Sequence, residues 1–155
     1  MRAQVSIFPQ FSYLSAMKEV AVGIIRDDGM VLACQRKRNA VYPLKWEFPG
    51  GKVEAGESPA GALQRELREE LGIEATPGAE IHRQEWVYKD GVADPERDGS
   101  FRVFYFVVDR YAGKPANRAF EEIRWVTFAE LARLDMLEGN REAVEIFLRD
   151  EKSRP

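Results

Sequence analysis

The chain has 155 residues, 45% hydrophobic and 32% charged, a length and balance that suit one folded domain with a real core rather than two. Its 23 lysines and arginines stand against 26 aspartates and glutamates, and a net charge of −3 supplies no positive field to hold a nucleic-acid duplex. Nowhere do the roughly eighteen uninterrupted apolar residues of a membrane-spanning helix occur, which excludes a helical bilayer protein.

From Met1 to Ala16 the apolar content is broken by Gln4, Ser6, Pro9, Gln10 and Ser12, so a secretion signal's hydrophobic stretch is missing and export is not indicated. Residues 1–17 are set aside as an N-terminal extension without assigned structure. Val20–Ile25 and Met30–Cys34 are apolar runs around the turn chemistry of Asp27-Asp28-Gly29, which predicts a hairpin. The single cysteine, Cys34, lies inside the second run and has no internal disulfide partner, which suits a reducing compartment, the cytoplasm. Lys45-Trp46-Glu47-Phe48 leads into Pro49-Gly50-Gly51, where two glycines start a shaped loop.

Ser58 as N-cap, Pro59 at the first helical position and Gly72 as the stop predict a helix over Pro59–Leu71. Ile81–Tyr88 and Phe101–Tyr111 read as strands joined by a long loop, Lys89–Ser100, taken as a connection in preference to a lid. Ile123–Val126 reads as a short strand, and Thr127 with Glu130 has capping-box spacing ahead of a short helix. Asn140 precedes a closing helix that runs to about Asp150, leaving residues 151–155 as a charged tail and 18–150 as the domain. Strands in excess with helices between them argue for an α+β fold built on a mixed sheet.

Glu66, Glu69 and Glu70 project from the predicted helix within an arc of about 100°, beside an apolar arc of Ala60, Leu63, Leu67 and Leu71. Glu66 and Glu70 are like charges at i,i+4, and Glu69 and Glu70 sit where the helix dipole disfavours anions. Arg65 offsets part of this through Glu69, and a divalent cation would neutralise far more, since carboxylate oxygens are the hard ligands that Mg²⁺ or Mn²⁺ prefers. Taken alone, such a helix also reads as a solvated acidic face.

The preceding loop changes the weighing. Gly51, Glu57, Arg65, Glu66, Leu67, Glu69, Glu70, Gly72 and Ile73 fall at the spacing that defines the Nudix hydrolases, and the chain resembles that family without a departure across residues 51–73. Val20–Ile25 together with Trp46-Glu47-Phe48-Pro49-Gly50-Gly51-Lys52 resembles its MutT-type branch, with coverage from about Lys18 to Leu148.

The resemblance implies an α/β/α sandwich and Mg²⁺- or Mn²⁺-dependent hydrolysis of a nucleoside triphosphate to monophosphate and pyrophosphate, with 8-oxo-dGTP and (d)CTP as candidates. It implies Glu66 and Glu70 as principal metal ligands, Glu69 sharing a metal directly or through water, the Gly50 carbonyl as a main-chain ligand and Glu57 in support of the loop or the outer shell of the metal. Glu69 is the first choice for general base and Glu66 the second, with Arg65 orienting either. Gly51 and Lys52 are taken as substrate-binding. Glu121 or Glu122 stands where relatives supply a further glutamate from the loop before the last strand, although an ungapped comparison puts Ala119 there.

Asn140 matches the residue that reads the nucleobase, and equally serves as an N-cap. Arg36 matches an arginine near the phosphates or is a charged strand end. Phe48 matches a pocket aromatic or is core, and Trp46 is packing. His82 is given no role. The rival readings are hydrolysis of another nucleoside diphosphate linked to a different group, such as ADP-ribose, a dinucleoside polyphosphate, a nucleotide sugar or capped RNA, and a non-catalytic nucleotide-binding module. Monomer and homodimer stay open.

Overall fold

The computed structural model describes residues 17–88 and 99–155. The N-terminal extension up to Ala16 and most of the Lys89–Ser100 loop lie outside the described residues. Strand β1 (Lys18–Asp27) turns through Asp28 and Gly29, both at positive φ (47° and 73°), into β2 (Met30–Gln35). This is the paired left-handed turn that matches strand twist, and Asp27 faces Met30 across it.

The element order continues with β3 (Trp46–Glu47), β4 (Gly50–Lys52), α1 (Pro59–Leu71), β5 (Glu74–Thr76), β6 (Glu80–Tyr88) and β7 (Gly99–Val108). It closes with β8 (Arg110–Ala112), β9 (Glu122–Thr127), α2 (Phe128–Leu131), a 3-10 turn at Glu138–Asn140 and α3 (Arg141–Lys152). Seven strands form one mixed sheet in the order β3-β2-β1-β7-β6, with β4 paired to β1 and β9 to β2. β1 and β7 run parallel, from Lys18 beside Phe101 to Ile25 beside Val108; the other pairings are antiparallel.

Both sheet faces are buried, so β1 and β7 are apolar almost throughout instead of alternating with polar residues. Val22, Ile24, Val103, Tyr105 and Val107 pack with Val144 and Phe147 of α3 on one side. Ala21, Ile25, Phe104, Phe106 and Val108 pack with Leu63, Leu67 and Leu71 of α1 on the other. The result is the expected α/β/α sandwich. Among the described residues no helix is long and apolar enough to cross a membrane.

Two expectations are corrected. The stretch Phe101–Tyr111 is not one strand: it breaks at Asp109, and β8 pairs with β5 in a separate two-stranded sheet. The parallel partner β1 gives its last pair at Ile25–Val108, and Asp109 is drawn into a 3.0 Å ion pair with Arg26. Strand β5 was not anticipated, being three residues long directly after the helix stop. α3 also extends two residues beyond Asp150, through Lys152.

Candidate active site

Helix α1 begins and ends where its sequence dictates. The Ser58 hydroxyl accepts from the Gly61 amide at 3.0 Å, and Gly72 adopts φ 68° with its N–H on the Arg68 carbonyl. Leu63, Leu67 and Leu71 are fully buried under the sheet, and Gly23 lets the helix approach, since a Cβ there would lie 3.3 Å from Leu63 Cδ1. Burying that stripe fixes the rotation of α1, and the adjoining positions Glu66 and Glu70 are thereby aimed at the loop Gly50–Lys52.

The loop is shaped to receive them. Gly50 has φ 153°, donates its N–H to Glu70 Oε2 at 3.2 Å, and lies so close to β1 that a Cβ would sit 2.1 Å from the Ala21 carbonyl oxygen. A Cβ at Gly51 would fall 2.3 Å from the carboxyl carbon of Glu66. Only glycines leave room here, one for strand β1 and one for a carboxylate.

Arg65 ties the loop to the helix. Its guanidinium donates to Glu57 at 2.6 and 3.0 Å, to Glu66 Oε1 at 2.8 Å and to the Lys52 carbonyl at 3.0 Å, with Glu69 3.6 Å away. The fork geometry of arginine makes this multiple grip possible, and lysine lacks it. Arg65 and the Glu54 amide hold the Glu57 carboxyl down at about 2. Glu70 is pushed up to about 8, first by burial and then by the neighbouring Glu66. Glu69 is the most exposed of the three, its side chain 59% accessible against 16% for Glu66.

Among the described residues, no three carboxylate, imidazole or thiol groups converge closely enough to enclose a metal on their own. The donor set still fits a divalent cation. Glu66 and Glu70 are hard oxygen donors that repel each other, and Mg²⁺ binds through one or two carboxylates while water and phosphate oxygens complete its shell.

A cavity of about 350 Å³ opens beside this cluster, lined by Glu70 and Gly50, by Arg36, Glu47 and Phe48, and by Gln84, Tyr105 and Asn140. Its walls include Val20, Val22 and Val103, which suit a flat apolar ring. Phe48 is buried and serves as both core and wall. Trp46 is core, as expected. Arg36 donates to Glu47 at 2.8 Å and to the Val41 carbonyl at 2.7 Å.

The capping reading of Asn140 is corrected. Its side chain makes no capping hydrogen bond to α3; it is 6% exposed, and its Oδ1 accepts from the Tyr105 hydroxyl at 2.8 Å. The 3-10 turn leads the chain into α3 with Asn140 already helical (φ −94°, ψ −9°), so the side chain is free to turn inward.

Glu121 and Glu122 are engaged elsewhere. Glu121 takes the Arg38 guanidinium at 3.1 Å and Glu122 pairs with Arg124 at 2.9 Å; neither lines the cavity. Lys52 is exposed and contributes its carbonyl to Arg65.

Three cavity residues escape sequence reasoning. Glu47, whose carboxyl burial pushes up against the pull of Arg36, is hidden in a two-residue strand. Gln84 and Tyr105 come from β6 and β7 and belong to no local motif.

Residues 17–147 match the NUDIX domain family. The chain is 39% identical over 109 residues to the 8-oxo-dGTP diphosphatase of Haemophilus influenzae, covering 70% of this chain and 74% of that one. It is 34% identical over 142 residues to the CTP pyrophosphohydrolase of Escherichia coli, covering 90% and 97%. Among solved structures, the E. coli ORF135 protein superposes with a TM-score of 0.77 at 31% identity, over 90% of this chain and 94% of that one.

Proposed function

The chain belongs to the NUDIX domain family, and from that premise we propose that it hydrolyses a nucleoside triphosphate to the monophosphate and pyrophosphate, with the base in the cavity and the phosphates at α1. It is an enzyme of phosphoanhydride bonds, and 8-oxo-dGTP and (d)CTP are the substrates to test first. One observation carries the reading: the same cavity is lined by Glu70 of the carboxylate helix and by the buried amide of Asn140.

Glu66, Glu69 and Glu70, with the Gly50 carbonyl, would hold a divalent metal ion, Mg²⁺ being our choice. When bound, that ion neutralises phosphate oxygens and the charge that develops on them in the transition state. Arg65 keeps the Glu66 carboxylate in one orientation, and Glu57 keeps Arg65 in place. Glu69, open to solvent, is our first choice to take the proton of the attacking water; Glu66, already accepting from Arg65, is the second. Arg36, fixed by Glu47, carries positive charge to the cavity where a phosphate enters. The same reading takes residues 18–150 as the catalytic domain and, with buried Cys34 kept as a thiol, the cytoplasm as its place of action.

The test is pyrophosphate release from 8-oxo-dGTP, dCTP, CTP and ADP-ribose with Mg²⁺, by the wild type and Glu69→Gln. Turnover of a triphosphate that Glu69→Gln loses is the expected result. A wild type inert on every nucleotide would leave a binding module.

A further inference from the structure

In the cavity wall, a second set of side chains is joined by neutral hydrogen bonds. The Gln84 Nε2 donates to the Gly139 carbonyl and, at 3.3 Å, to the Tyr105 hydroxyl. A carbonyl only accepts, so the Gln84 amide has its nitrogen toward Gly139 and its Oε1 toward His82, 3.0 Å from Nε2. That nitrogen therefore carries the imidazole proton, and the Glu142 carboxylate 3.6 Å from it favours the same tautomer.

The Tyr105 hydroxyl has one hydrogen, and among the described residues Asn140 Oδ1 lies 2.8 Å and the Gly139 carbonyl 3.0 Å from it. The contact to Asn140 is the shorter of the two, and the hydroxyl donates there to Oδ1. Among the described residues nothing accepts from Asn140 Nδ2, and Asn140 lines the cavity. The amide, ambivalent in itself, is left with its two N–H groups as what it offers a ligand.

We propose that Gln84 and Tyr105 are positioning residues that fix the Asn140 amide with its nitrogen toward the cavity, so that the site selects bases presenting a carbonyl edge over those presenting an amino group there. This rests on the reading that the cavity takes a nucleobase. Two donors facing an amino group leave buried N–H groups unpaired, and a penalty of that kind corresponds to about 10- to 100-fold in kcat/KM.

The experiment compares triphosphates that differ at one edge, inosine against adenosine and guanosine against 2,6-diaminopurine riboside, for the wild type, Tyr105→Phe and Asn140→Asp. The wild type is expected to prefer the carbonyl member of each pair. Tyr105→Phe removes the hydrogen that pins Oδ1, and its preference collapses toward unity through KM more than kcat; Asn140→Asp, which offers only acceptors, inverts it. Equal use of both members by the wild type overturns the proposal, as does a Tyr105→Phe variant that loses activity on both members while keeping their ratio.

A second readout needs no turnover. In ¹⁵N-labelled, metal-free protein without nucleotide, the Asn140 side-chain NH₂ is expected to show no strong nuclear Overhauser contact with the Tyr105 ring. A strong contact means the amide is reversed and overturns the proposal. If the wild type hydrolyses no triphosphate, the proposed function falls, and the amide orientation still decides this inference by itself.

Discussion

Along α1 the site is held by ion pairs, Arg65 gripping Glu57 at 2.6 Å and Glu66 at 2.8 Å, while the Glu70 carboxyl stays against the Gly50 amide at 3.2 Å. On the α3 side of the sheet, Gln84, Tyr105 and Asn140 are joined by neutral hydrogen bonds of 2.8 and 3.3 Å. The ionic side carries a repulsion between Glu66 and Glu70 that Arg65 and the Gly50 amide relieve only in part, whereas in the neutral chain each donor meets an acceptor until the last amide. A repulsive cluster gains by binding a cation; a satisfied network gains by excluding the wrong partner. On the proposed reading, one region activates and the other chooses.

Glu70→Gln breaks this contrast most directly. Losing this proposed metal ligand is expected to lower kcat/KM by about 10³-fold. The metal-free variant should nevertheless melt at a higher temperature than the wild type at pH 8–9, because a buried charge and its repulsion with Glu66 are gone. A metal-free variant that melts below the wild type at that pH contradicts the repulsion.

Gly51→Ala comes next. A Cβ 2.3 Å from the Glu66 carboxyl carbon must displace that carboxylate, so Mg²⁺-induced stabilisation should fall together with turnover while the metal-free fold persists. Equal Mg²⁺ stabilisation in both proteins counts against the role of Glu66.

The pH dependence sharpens the comparison. The Glu70 carboxyl is raised from 4.5 to about 8 in the folded chain, so its contribution to metal-free stability is full below about pH 4.5 and is lost as pH rises through about 8. Cation binding needs the ionised form, so the Mg²⁺-induced rise in melting temperature grows over the same range. Melts in EDTA and in Mg²⁺ from pH 5 to 9 check both signs. Glu57 behaves oppositely: lowered to about 2, it contributes above about pH 4.5 and loses that contribution as pH falls toward 2, a loss that Arg65→Ala should reduce while the Glu54 amide keeps the remainder.

The smallest effect expected is that of Ser58→Ala. Loss of the 3.0 Å cap to the Gly61 amide should cost about 1 kcal/mol in denaturant melts, with little change in turnover.

The charged region was legible because its parts are neighbours in the chain: Ser58, Pro59 and Gly72 bound the helix, and the glutamate spacing sets one face. The parallel partnership of β1 and β7, by contrast, is a long-range fact, and the break at Asp109 follows from where β1 ends rather than from anything between Phe101 and Tyr111. The Asn140 side chain was ambiguous for the same reason. Capping is a local signal, and it was displaced by a hydroxyl 35 residues earlier in the chain. Glu47 and Gln84 gave no signal because isolated polar residues in strands look solvated until the third dimension closes over them.

Two of the three carboxylates on α1 are chained to a hydrophobic neighbour: Glu66 precedes Leu67, and Glu70 precedes Leu71, both leucines wholly shielded from water. Inserting one residue within α1 would rotate everything beyond it by about 100° and drive acid toward hydrocarbon. Folding and turnover would then fail together. Variation in this protein should therefore tolerate changes of loop length on the β8–β9 side while forbidding any change of length inside that single helix.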